Sequence, residues 1–119
     1  MARELELEVH NFTKTFPLEE KYRSVDQLNR SSSSVTNNIA EAYNKQSLKD
    51  KIRICRDIVI CEAEETRSNL TRCCEKFPID KVKGQGLAAR YLELIKATNG
   101  YIRFLRNKQK LKSRLNVGS

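Results

Sequence analysis

Glu62, Glu64 and Glu65 form a carboxylate cluster, and acids so grouped can share a proton or hold a metal. A di-iron site in a helical bundle needs Glu-x-x-His pairs. The chain has one histidine, His10, and no such pair. The three acids therefore read as a charged face that pairs with Arg67 or with cations of a neighbour, and His10 as a solvated surface residue. Cys55, Cys61, Cys73 and Cys74 form no CxxC pair, and the adjacent Cys73 and Cys74 do not fit the usual zinc spacing. The start MARELELEVHNF is acidic where a secretion signal is basic and then apolar. That predicts a cytoplasmic protein with reduced thiols acting as small hydrophobes. Neither GxSxG, a P-loop nor GxGxxG is present. The expectation is a protein that is not an enzyme, with no catalytic residue, no metal and no cofactor.

The strongest functional pattern is basic. Arg103, Arg106, Lys108, Lys110, Lys112 and Arg114 follow one another with no acid from Ala97 to the end. Lysines and arginines in such a run neutralise phosphates and release counterions. The whole chain carries 23 Lys and Arg against 15 Asp and Glu, a net charge of +8. That excess has two readings, solubility or a polyanionic partner. Tyr101 and Phe104 beside the run can stack on unpaired bases, or serve a core or interface. Arg30 joins the six as a candidate nucleic-acid contact. Arg23, Lys49, Lys51, Arg53 and Arg56 add charge that the sequence alone does not assign to one face.

These residues need a scaffold, and the spacing predicts helices. Two prolines and four glycines in 119 residues are sparse punctuation. No apolar run is long enough to span a membrane. Leu5, Val9, Phe12 and Phe16 predict an amphipathic helix over 2–15, ended by Phe16-Pro17. Tyr22, Val25, Leu28, Ser32, Val35, Ile39 and Ala42 or Tyr43 predict a second over 18–44. Its stripe keeps phase through four consecutive serines, 31–34. They read as small residues in a close-packed seam, the alternative being a serine loop between two shorter helices. Ser47 suits an N-cap, with Asp50 three residues on. Leu48, Ile52, Cys55, Val59, Ala63, Thr66, Leu70, Cys73 and Phe77 trace a third helix. A second stripe on it, Ile54, Ile58 and Cys61, widens the core contact or forms an oligomer interface. The segment 79–86, with Gly84 and Gly86, predicts a loop. A fourth helix over 87–115 follows, with a close contact expected at Gly100. Short turns between four such helices imply an antiparallel up-down-up-down bundle. The expected organisation is a bundle over 1–106 and a basic extension of helix four over 107–119.

The stretch NNIAEAYNKQSLKDKIR resembles the signature of the bacterial four-helix-bundle family of 23S rRNA intervening-sequence proteins. That signature is an arginine, small residues, an SIPSNIAEG core, a basic serine-containing turn and a helix-three glutamate. Arg30, Val35, Asn38, Ile39, Ala40, Glu41, Tyr43, Ser47 and Lys49 fit it, and Glu64 falls where that glutamate stands. KTFPLEEKY (14–22) and NGYIRFL (99–105) resemble its first turn and last helix. Thr36 replaces the family's proline and Ala42 its glycine, and the residues after Arg106 lie outside the pattern. The resemblance implies a non-catalytic bundle assembling into a ring-like homo-oligomer, a homopentamer. A related branch is the accessory variability determinant of diversity-generating retroelements, a basic bundle that binds nucleic acid and a reverse transcriptase. The expected function is nucleic-acid binding, RNA ahead of DNA, through a basic surface. The alternative is a reverse transcriptase accessory subunit, and a bundle whose charge only confers solubility is the third reading.

Overall fold

The computed structural model describes residues 1–17 and 21–116, leaving aside the side chains of Lys21, Tyr22 and Asn116. Four helices account for nearly all of them, and no strand occurs among the described residues. Helix α1 is Ala2–Thr13. A π-helical turn, Lys21–Val25, runs into α2, Asp26–Asn44. Helix α3 is built of Leu48–Ile54, a second π-helical turn Cys55–Val59, and Ile60–Lys76. Helix α4 is Lys81–Asn116. No helix among the described residues is long and apolar enough to cross a membrane. The expected first turn of helix two at 18–20, and the tail 117–119, lie outside the described residues.

The apolar stripes face one core. Leu5, Val9, Leu28, Val35, Val59, Leu70 and Tyr91 are fully buried. Between Ala42 and Tyr43, Ala42 takes the core position, while Tyr43 is 69% exposed.

The serine run is helical throughout, which rules out the loop alternative. Ser31 and Ser32 are buried. The Ser31 and Thr66 hydroxyls are hydrogen-bonded at 2.7 Å, joining α2 to α3. Ser33 donates to the Glu6 carboxylate at 2.8 Å, joining α2 to α1. Ser32 donates to the Asn29 carbonyl at 3.2 Å, and Asn38 donates to the Ser34 hydroxyl at 3.1 Å. Burying a hydroxyl is costly unless it is bonded, and each hydroxyl of the serine run is. The small side chains thus let two neighbours approach while their oxygens tie the helices together.

Three expectations need correction. First, 79–86 is not a loop, because α4 begins at Lys81. The Asp80 carboxylate accepts from the Lys83 N–H at 3.0 Å, satisfying one of the orphan donors of the first turn. Gly84 then serves packing, since a Cβ there would stand 2.3 Å from Cys74 Sγ and 3.1 Å from Phe12 Cζ. Second, Gly100 makes no close contact; a Cβ would meet only the Arg103 side chain at 3.7 Å. Third, the second stripe does not act as a unit: Ile54 is 1% exposed and takes the core alternative, while Ile58 is half-buried and Cys61 exposed. The π turn explains this, because i→i+5 bonding brings residues five apart onto one side. Ile54 therefore shares the buried face with Val59.

Candidate nucleic-acid interface

The connection between α2 and α3 is three residues, 45–47, and it lies beside the far half of α4. Ser47 caps α3, accepting from the Asp50 N–H at 3.2 Å as its position predicts. Lys51, one turn into α3, reaches back to the end of α2. Its ammonium donates to the Ala42 carbonyl at 3.3 Å and the Tyr43 carbonyl at 3.0 Å. A cation satisfies orphan carbonyls at the negative end of the helix dipole.

This anchoring sets where the cations fall. Lys49, Arg53 and Arg56 follow at intervals of four and three, so they share one face of α3. They line a single concavity with Ile52, Arg106 and Gln109, the last two on α4. A neighbouring hollow is lined by Gln46, Ser47, Leu48, Gln109, Lys112 and Ser113. Among the described residues Leu105 is the last buried one of α4. Beyond it the helix continues to Asn116, roughly 16 Å at 1.5 Å per residue.

The six expected cations of α4, Arg103 to Arg114, are all exposed. Among the described residues none of the six lies within ion-pair distance of a carboxylate. The α3 cations are partly neutralised, Arg53 by Asp50 at 3.9 Å and Arg56 by Asp57 at 2.8 Å. The Arg56 hydrogen bond holds the Asp57 carboxyl below the usual carboxylate range. Arg30 is not part of this group. It pairs with Asp26 at 2.7 Å and stands 13 residues up α2 from Tyr43, about 20 Å along the helix.

Three rings stand beside the cations. Tyr43 and Tyr101 are stacked at 6.0 Å and 13°, and Tyr101 and Phe104 at 6.3 Å and 21°. Lys51 lies 5.8 Å from the Tyr43 ring centre and Lys108 5.0 Å from that of Phe104, both cation–π distances. Tyr101 is half-buried, and burial, with Tyr43 nearby, pushes its phenol above the usual tyrosine value. Phe104 is 52% exposed.

The other candidates fall elsewhere. Glu64 pairs with Arg67 at 3.0 Å, as a charged face requires, and burial followed by Glu65 pushes the Glu62 carboxyl up. His10 is exposed. Of the expected interface residues Ile58 is half-buried and Cys61 exposed, while Ile54 is enclosed by its own chain. Sequence reasoning missed the convergence of Lys49, Arg53 and Arg56 on Arg106. Their four-and-three spacing was the available signal for a shared face; the partner helix was not.

Residues 1–100 match the family model described as 23S rRNA-intervening sequence protein. No curated protein matches the chain. Arg103 to Arg114 lie beyond the matched residues.

Proposed function

The chain belongs to the 23S rRNA-intervening sequence protein family, and from that premise we propose that it is a non-enzymatic nucleic-acid-binding protein, RNA ahead of DNA. One observation carries the reading. Lys49, Arg53 and Arg56 of α3 share a concavity with Arg106, at the root of a helix end whose six cations have no carboxylate partner among the described residues. Arginines and lysines gathered from two helices onto a shared surface, with cations there in excess of acids, are the footprint of phosphate recognition. The helices run up-down-up-down and antiparallel. In support, Glu6 meets Ser33 while Met1 lines a groove with Tyr43, so numbers rise along α1 as they fall along α2. The protein works in the cytoplasm as a ring-like homo-oligomer, to which half-buried Ile58 and exposed Cys61 contribute surface.

Molar mass in solution, measured with and without structured RNA, tests partner and assembly together. The expected result is an oligomer that gains the mass of RNA at low salt. Removing residues 107–119 should weaken that complex strongly. An unchanged mass with RNA, or a complex indifferent to the truncation, would overturn the basic-end reading; a monomer would overturn the assembly.

A further inference from the structure

We propose that the Tyr43–Tyr101–Phe104 row is a stacking platform for unpaired nucleobases, so that the basic end prefers single-stranded nucleic acid to duplex. The inference rests on the nucleic-acid reading above and adds the class of ligand.

Solvent exposure is the first reason. Tyr43 is 69% and Phe104 52% exposed, whereas large aromatics of a monomer normally bury most of their surface. Geometry is the second. Successive rings are 13° and 21° from parallel, with centres 6.0 and 6.3 Å apart, so the three already form one aligned stack that a further flat ring can join. Position is the third. Lys51 and Lys108 sit over the two outer rings, and the Arg106 concavity begins two residues beyond Phe104. A backbone held by those cations carries its bases past the rings. An apolar groove of about 380 Å³, lined in part by Ala2, Ile39, Ala42 and Ala97, continues from Tyr43 and Tyr101 and offers the bases further cover.

Charge selects this occupant over a two-fold contact with a second copy of the chain, and leaves a ring contact through a different face undisturbed. Two copies meeting through the same face would press Lys51, Lys108 and the α4 cations against their own duplicates. No acid follows Glu93 to relieve them. Duplex is disfavoured for a different reason. Its bases are already stacked on one another and cannot turn their faces to a protein, whereas every unpaired base can.

The test compares a labelled single-stranded oligoadenylate with an RNA duplex of equal length, at one low salt concentration. The variants are the double Tyr43→Ala/Phe104→Ala and the single Phe104→Leu, which keeps apolar bulk but removes the ring. Wild-type protein should prefer the single strand. The double variant should lose about ten- to hundred-fold on it, with duplex affinity within about two-fold, and Phe104→Leu should lose part of the same amount. Equal losses on both ligands, or none on either, would overturn the platform while leaving the basic-end reading intact. Wild-type protein that binds neither RNA would overturn both. A changed molar mass with unchanged RNA binding in the double variant would make the row an interface between copies instead.

Discussion

Among the described residues, two sets of three aromatic rings are built oppositely. In the first set, Phe12 at the end of α1, Phe16 just past it and Phe77 just past α3 are buried and meet edge to face, 5.3 Å at 86° and 5.9 Å at 61°. Edge-to-face pairs fill space in three directions and suit a closed core. In the second set, Tyr43 near the end of α2 and Tyr101 and Phe104 of α4 lie nearly parallel, with Tyr43 and Phe104 exposed and Tyr101 half-buried. The charges follow the same division. Lys83 and Arg90 near the first set are both bound by Glu8, while Arg103 to Arg114 beside the second have no acid within ion-pair distance among the described residues. One region uses its rings and charges within its own fold, and the other leaves most of them exposed.

Paired substitutions break this comparison most sharply. Phe12→Ala should cost about 3–5 kcal/mol of stability in denaturant titration, through lost burial and the cavity left behind. Phe104→Ala should stay within about 0.5 kcal/mol. Similar costs for the two would show that both sets are structural. Glycines give the next largest effect. Gly84→Ala should destabilise by about 1–3 kcal/mol, because its Cβ would collide with Cys74 and crowd Phe12. Gly86→Ala meets nothing within 4 Å and should be neutral or raise the thermal midpoint, as helix propensity favours alanine.

A smaller effect sharpens the electrostatic half. Asp57→Asn frees Arg56 and should raise RNA affinity by roughly three-fold at low salt, about half of a tenfold step on the free-energy scale. Protonating Asp57 should act likewise as pH falls. Because Arg56 holds that carboxyl low, the ion pair's support for the fold is present above the ordinary aspartate range and fades as pH falls through the lowered value. The rise in affinity should therefore come at a more acidic pH than for an unpaired aspartate, and be absent in the asparagine variant.

The helices and most of the core were legible in the sequence, because burial on one face forces a 3.6-residue period that Leu5–Val9–Phe12 and Leu28–Ser32–Val35 display plainly. The same period carried the serines correctly through α2. Legibility failed where tertiary packing decides. A π turn leaves no mark in composition, so Ile54 read as a side stripe when the extra residue per turn puts it inside. Gly84 and Gly86 read as loop punctuation, yet Gly84 is there because α3 and α1 press against α4. In the candidate site, the α4 cations and the stacking potential of Tyr101 and Phe104 were readable. Tyr43 was not, because its partner rings lie almost 60 residues away, and neither was the α3 contribution from Lys49, Arg53 and Arg56.

The basic end's role is tested most directly by the salt dependence of RNA binding, compared between wild-type protein and the triple variant Arg53→Ala/Arg56→Ala/Arg106→Ala. A single strand held through phosphates should show log affinity falling linearly with log salt, at about 0.7 per phosphate contacted. Losing three contacts should flatten the slope by about 2, with the thermal midpoint little changed. A slope that is flat from the outset, or identical in the two proteins, would contradict the account.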